Sequence, residues 1–349
     1  MLNSTPELSN TSWKSSGIII LCVRFVQGWI FWGGGSRRFI YDPEKLDPYS
    51  SQWMANKLQS AMPGALLGIE HAISFLLQHF ILLYAAIILF SLVELISGLA
   101  LIFGFFTRTA AFATVMVSLA LMLIFGWQGT TCMDEWTMAS ATLAMGLTLM
   151  LSGAPIYSID NELLKRKPHL GQKKWFTVLA SGDLTWRQLK TLGMLCLVFT
   201  VFFTLSTYSH YRGAIFSAYH SGPVSAYHYD LELSNGIVKS NGTVEFNVYV
   251  NSGPTAAPMY IIRIELVDAN GQLIETWEPA HLRTLSDHQI ENKYPYNRIT
   301  VGLYGLVAPV SAAAKISLPP IKVALNLSRK KYQLQIYTVN GHRWDLAVM

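Results

Sequence analysis

The chain has 349 residues, of which 51% are hydrophobic and only 13% charged, and its formal net charge is +5. Soluble domains carry about a quarter charged residues, so this composition excludes an ordinary soluble protein, and the small basic excess calls for no nucleic-acid partner. Three cysteines, Cys22, Cys132 and Cys196, supply neither a disulfide framework nor a metal-ligand spacing, and no haem-attachment, Rossmann, P-loop or zinc pattern occurs.

Residues 80–152 are nearly free of charge, whereas residues 210–349 have ordinary composition, which predicts a helical membrane part and a soluble part. With roughly 20 apolar residues per crossing, five spans can be drawn, at about 17–33, 80–106, 109–127, 133–152 and 190–209. The first lacks a small-x-small cleavage site and ends in Trp29, Phe31 and Trp32, so it is read as a retained span rather than a signal peptide. It carries Arg24 near its middle and runs into Trp32-Gly33-Gly34-Gly35-Ser36-Arg37-Arg38. Glycine permits close backbone approach and positive φ, so open amides at Gly34 and Gly35 beside the forks of Arg37 and Arg38 would form an anion nest. The plainer alternative is a helix cap followed by interfacial arginines on lipid phosphates.

Residues 63–79 are also apolar, but no turn separates them from the second span. Glu70, Ser74 and Gln78, with His71 and His79, fall on adjacent i, i+4 stripes, predicting a helix at the membrane face or against the bundle, its polar stripe toward a cavity. Glu94 lies near the middle of the second span. A lone charge at that depth costs roughly 2.5–3.5 kcal/mol by the lower figures, so Arg24 and Glu94 are expected to face each other or a polar cavity, as a structural ion pair, a proton path, or both.

The turn after the third span reads Gly126-Trp127-Gln128-Gly129-Thr130-Thr131-Cys132-Met133-Asp134-Glu135-Trp136. A thiol here could accept a sulfur species, although Asp134 and Glu135 disfavour its thiolate unless arginines offset them. Otherwise Cys132 is an inert small residue at a helix start, with Thr131 or Asp134 as N-cap. Asp134 and Glu135 suit proton handling or holding an arginine. Trp29, Trp32, Trp127 and Trp136 suit an aromatic belt or stacking on a quinone ring.

The loop 153–189 carries Lys165, Arg166, Lys167, Lys173, Lys174 and Arg187. The positive-inside rule places it in the cytoplasm, which puts both motifs, and everything after the fifth span, outside. Beyond residue 210 the pattern changes to period two, as in Val244, Phe246, Val248 and Val250, or Tyr332, Leu334 and Ile336. Asn-Gly pairs at 235–236, 241–242, 270–271 and 340–341 are strong hairpin signals. The expectation is an exported all-β immunoglobulin-like sandwich without the inter-sheet disulfide. Its basic stretch from His281 to His288, with Lys293 and Arg298, is either a solvated loop or an electrostatic attractor of anions. The predicted parts are thus a four-span domain at 1–155, a basic cytoplasmic linker at 156–189, a fifth span at 190–209 and the β-domain at 210–349.

With its glycine–arginine turn and its Thr-Thr-Cys-Met-Asp-Glu-Trp turn, the four-span part resembles DoxD of the DoxX superfamily, and the last span with the β-domain resembles DoxA. Nearly the whole chain resembles a fused DoxD–DoxA protein, the membrane-bound thiosulfate:quinone oxidoreductase of sulfur-oxidising prokaryotes. The resemblance implies oxidation of two thiosulfates to tetrathionate in the plasma (inner) membrane, with a quinone as electron acceptor; no metal or flavin motif is evident in the sequence. It implies that Arg37 and Arg38, with Gly34, Gly35 and Trp127, bind the dianion, and that Cys132 or a neighbour touches its outer sulfur. Asp134 and Glu135 join Cys132 and Glu94 on the catalytic side, while Arg24, Trp29, Trp32, Glu70 and His71 serve the quinone. Partners would be thiosulfate, quinone and the lipid bilayer, with a second copy or a terminal oxidase. The competing reading is a non-catalytic membrane anchor or assembly subunit of a respiratory oxidase, which has no need of arginines, a thiol and carboxylates at one face.

Overall fold

A computed structural model of the chain describes residues 6–129, 135–213, 217–218, 224–321 and 332–348. The helices, in chain order, are α1 (Pro6–Ile19), α2 (Leu21–Ser36), α3 (Met54–Ala61), α4 (Ile69–Gln78), α5 (Phe80–Phe103), α6 (Thr107–Phe125), α7 (Glu135–Ser152), α8 (Ile159–Arg166), α9 (Lys174–Leu179), α10 (Trp186–Arg212) and α11 (Pro279–Leu282). The chain forms two compact units. One comprises Met1–Met54, Ile81–Gly126 and Met133–His220; the other comprises Ala55–Phe80, Trp127–Cys132 and Ser221–Met349.

The first unit is helical. Among the described residues, α5, α6 and α10 are long and apolar enough to cross a membrane. A fourth crossing exists if the pair Trp13–Ile19 and Leu21–Tyr41, bent by 53°, is one broken span. The expected span at 133–152 is a helix, α7, but does not reach the same apolarity: Glu135, Thr137, Ser140, Thr142, Thr148 and Ser152 dilute it. Small residues let these helices approach closely. A Cβ on Gly98 of α5 would lie 2.1 Å from the backbone nitrogen of Trp32, and one on Gly35 of α2 would lie 2.6 Å from Leu95. Ala139, Leu143 and Leu147 of α7 pack with Val115 and Met122 of α6.

Two buried charges tie the loop after α7 to this bundle. Asp160, fully buried, accepts from Phe106 N (2.9 Å), Thr107 N (3.0 Å), Thr107 Oγ1 (2.9 Å) and Ser181 Oγ (2.7 Å). The Arg108 guanidinium donates to the carbonyls of Met150, Leu151, Thr177 and Gly182. Such multiple bonding is what keeps a buried charge affordable. By contrast α10, opened by a Thr185–Gln188 capping box, buries none of its apolar window inside the protein, as suits a helix facing lipid.

Among its described residues, the second unit is built on ten strands: β1 (Asp230–Val238), β2 (Val244–Ser252), β3 (Met259–Asp268), β4 (Leu273–Trp277), β5 (Ile290–Asn292), β6 (Thr300–Gly302), β7 (Gly305–Ala308), β8 (Ala313–Leu318), β9 (Tyr332–Thr338) and β10 (Arg343–Val348). They hydrogen-bond in the order β5-β8-β2-β1-β10-β9-β3-β7-β6, with β4 beside β3. All described pairings are antiparallel except β1 with β10, whose single parallel register, Gly236 opposite Val348, joins the two antiparallel ladders. The predicted alternation holds: Val244, Phe246, Val248 and Val250 of β2 and Tyr332, Leu334 and Ile336 of β9 all enter one core. Three Asn-Gly pairs make turns between successive strands, at 241–242, 270–271 and 340–341. The fourth does not. Asn235, with φ of 54°, and Gly236 lie inside β1, where the register with β2 shifts between Ser234 and Ile237, so this pair makes a bulge rather than a hairpin.

The same unit contains α3, α4 and Trp127, although they are encoded between the helices of the first. The Trp127 indole donates to Ala61 O (2.9 Å), Gln128 Nε2 donates to Ser60 O (3.0 Å), and the Trp127 ring fills the space where a Cβ on Gly64 would stand.

Candidate functional site

Within the helical unit, Glu94 is a buried carboxylate with a cationic partner. It belongs to the buried polar stripe of α5, with Ser91 and Ser97 one turn to either side. Its partner is Arg38, on the π-helical turn Arg37–Tyr41 that continues α2. The Arg38 guanidinium donates to a Glu94 carboxylate oxygen and, at 3.4 Å, to Ser91 Oγ, and its Cζ stands 5.4 Å from the centre of the Phe90 ring. The two side chains are 15% and 8% exposed, so the pair is shielded from solvent on both sides. Gly34 leaves room for the carboxylate, since a Cβ there would be 3.3 Å from Glu94 Oε2.

This arrangement replaces the expected Arg24–Glu94 pair. Arg24 sits in the first turn of α2 and donates to the carbonyls of Ile156 (3.2 Å) and Tyr157 (2.6 Å), in the loop after α7. Glu94 is instead met from the far end of α2. The anion nest is also corrected. Gly33, Gly34 and Gly35 are interior residues of α2 with negative φ, and the Arg37 backbone N–H already bonds Gly33 O and Gly35 O. No row of open amides forms: Gly35 packs closely against Leu95, Gly34 makes room for the Glu94 carboxylate, and Gly33 has nothing within 4 Å. Of the two guanidinium groups, Arg37 is exposed whereas Arg38 is committed to Glu94.

The aromatic residues at this end of α2 do cluster. Trp29 and Trp32 have ring centroids 4.8 Å apart, and Tyr41 stands edge-on to Trp32 at 6.3 Å. Trp29 is 53% exposed on the outside of the bundle. Cys132 and Asp134 lie outside the described residues; Glu135 opens α7. Trp127, 2% exposed, is buried in the second unit with its indole nitrogen bonded to Ala61 O, so its ring is spent on packing and offers no face to a substrate.

Glu70 and His71 also belong to the second unit. There the polar stripe of α4 faces a cavity of about 430 Å³ over the outer face of the sheet, lined by Glu70, His71, Ser74, Tyr249, Lys293 and Tyr294 among others. The predicted helix with a polar stripe toward a cavity is therefore present, but its opposite wall is β-sheet. Ser74 Oγ lies 2.7 Å from Tyr294 OH, His71 Nε2 3.6 Å from Glu70 Oε1, and Glu70 Oε2 is buried without a hydrogen-bond partner. Burial pushes the Tyr249 phenol up to about 12. Beside the cavity, Glu245 takes Lys239, Lys315 and Ser317, and these bonds, led by Lys239, hold its carboxyl below the usual carboxylate range.

Several structural residues escaped the sequence reading. Gln27 is fully buried and donates to Thr142 O (2.9 Å), beside a Ser118–Thr142 hydroxyl contact of 2.9 Å. Polar residues spaced along apolar helices were the available signal. Asp160 lies in the basic loop 153–189, and nothing local in the sequence distinguishes it from a solvated acid.

Two family comparisons bear on this chain. Residues 19–197, just over half of it, match the family described as TQO small subunit DoxD, and residues 227–347 match TQO small subunit DoxA. The apolar helices together with the DoxD match make it a multi-pass membrane protein. The chain belongs to the DoxD family and carries a DoxA segment on the same polypeptide, the two being subunit families of thiosulfate:quinone oxidoreductase.

Proposed function

We propose that this chain oxidises thiosulfate to tetrathionate and delivers the electrons to a membrane quinone, from the outer face of the plasma membrane. The observation that carries this reading is the shielded Arg38–Glu94 pair, set among apolar helices of which α2 also carries the Trp29–Trp32 ring pair, in a chain built of two families of this oxidoreductase. Two thiosulfate dianions lose two electrons and form one S–S bond, and the quinone takes up those electrons with two protons. A carboxylate and a guanidinium held together out of water suit that second half. Glu94 is the group that passes protons inward, and Arg38 holds its carboxylate in place.

On the thiosulfate side, exposed Arg37 is the guanidinium free of the Glu94 pair, and it attracts the dianion. Cys132 offers a covalent route. Its thiolate bonds the outer sulfur of one thiosulfate as two electrons leave for the quinone. A second thiosulfate then attacks that sulfur, releasing tetrathionate and the thiolate. Arg37→Ala should raise KM for thiosulfate by about tenfold, and Arg37→Lys should recover part of it, having charge without the fork. Unchanged thiosulfate kinetics in both variants would leave Arg37 as a lipid anchor. Cys132→Ser should abolish turnover; full activity would assign direct transfer without the adduct.

A further inference from the structure

The outward face of α2 carries Phe25, Val26, Trp29 and Ile30, all exposed, with the Phe25 and Trp29 rings stacked 6.0 Å apart. One turn further on, this apolar face is interrupted. Gly33 follows Trp29 by four residues and Ile30 by three, so the three share a face. A Cβ on Gly33 would have no described atom within 4 Å. The result is a notch with bare backbone as its floor and Trp29 and Ile30 as its near wall. Helix packing accounts for Gly35 and Gly98, each of which stands against a neighbour, but not for Gly33. Glycine inside a helix costs about 0.5–1 kcal/mol relative to alanine, so Gly33 weakens α2 without any packing gain.

The notch adjoins the buried pair. At Gly34 the three atoms nearest an added Cβ all belong to the Glu94 carboxylate, with Oε2 at 3.3 Å and Oε1 at 3.6 Å. Arg38 takes Oε2, which leaves Oε1 for another partner. Any side chain at Gly33 would fill the notch, and any at Gly34 would crowd the carboxylate.

We propose that this notch receives the ring of the membrane quinone: the planar head lies on the Gly33–Gly34 backbone, stacks against Trp29 and turns one carbonyl oxygen toward the Glu94 carboxyl. The inference rests on the quinone half of the proposed function and gives that acceptor a place of entry from lipid. Three features of the notch select a flat ring over an acyl chain. Its wall is aromatic, and aromatic rings pair in offset arrangements with centroids about 4.5–7 Å apart. Its floor lacks the side chains that would hold a planar head off the backbone. Its inner end is a carboxyl group, which hydrogen-bonds a carbonyl oxygen when protonated, whereas an acyl chain has no atom to meet it.

The test uses the purified full chain in detergent, with azido derivatives of a short-chain benzoquinone and a short-chain naphthoquinone. Illumination should label α2 between Trp29 and Gly34. Excess unmodified quinone should abolish the label, and added phospholipid should not. Gly33→Leu, on a surface with nothing nearby, should suppress the label and raise KM for the quinone by about tenfold. Its KM for thiosulfate and its melting temperature should not worsen. If Gly33→Leu melts early, Trp29→Ala, at an exposed ring, carries the same expectations. Quinone-competed labelling of another helix, or a label and quinone KM unchanged in both variants, would overturn the notch while leaving a quinone as acceptor. Labelling displaced by phospholipid alone would make the notch an ordinary lipid contact. No quinone-competed label anywhere would overturn the notch and the quinone reading together.

Discussion

Replacing Arg38 by leucine leaves the Glu94 carboxylate 8% exposed with no cation beside it. Glu94 is fixed on the middle of α5 and has a short side chain, so it has no way to reach water. The mirror-image change, Glu94→Leu, strands a guanidinium that is 15% exposed, carried on a long stem that can swing outward. Breaking one side of a buried pair commonly costs about 3–5 kcal/mol, whereas removing both sides can be nearly neutral. Arg38→Leu should therefore cost about 3–5 kcal/mol, Glu94→Leu about 1–3 kcal/mol, and the double variant should return to within about 1 kcal/mol of the parent. Thermal or denaturant unfolding in one detergent gives the double-mutant cycle, and turnover of the same samples separates architecture from chemistry. Glu94 as proton carrier predicts a double variant that folds well and reduces quinone slowly. Additive losses in the cycle would refute the pairing; parental turnover in a stable double variant would refute the proton role.

Substituting Gly98 by alanine puts a methyl 2.1 Å from Trp32 N and should cost about 1–3 kcal/mol or more by overpacking, while Gly33→Ala, with nothing within 4 Å, should stabilise α2 by about 0.5–1 kcal/mol; equal effects in thermal unfolding would contradict the helix contact. Because the Glu245 carboxyl lies below its unfolded value, its contribution is present above the ordinary carboxylate pKa and is lost as pH falls through the depressed one. Glu245→Gln should thus destabilise the β-domain at neutral pH and become indistinguishable from the parent in strong acid, as acid titration of unfolding will read. Reporter fusions at residue 170 and at the C-terminus should report opposite sides of the membrane, and agreement between them would reject the orientation.

The elements set by local pattern were readable from sequence. The nearly charge-free run of α5 and the period-two valines of β2 each bury one face whatever surrounds them. The partner of Glu94 was not readable, because depth along a span gives height but no direction around the helix axis. Arg24 and Glu94 share a nominal depth, yet Arg24 turns to the carbonyls of Ile156 and Tyr157. A π-helical turn at the end of α2 supplies Arg38 instead. Three consecutive glycines allow a nest or a close helix crossing equally well, and only the presence of Leu95 against Gly35 decides between them. The attachment of α3 and α4 to the β-domain rests on pairs such as Gln59 with Asn297, separated by 238 residues. No periodicity or turn signal reports a contact of that kind.

The most direct test of the account is the reaction of the purified chain alone with thiosulfate and a soluble quinone analogue, following thiosulfate, tetrathionate and quinol together. The account predicts that each quinol formed is matched by two thiosulfates consumed and one tetrathionate made, with loss of turnover in Glu94→Gln. A well-folded chain that binds thiosulfate or quinone but forms neither tetrathionate nor quinol would contradict it, and would make the protein an anchor or assembly subunit for a catalyst elsewhere.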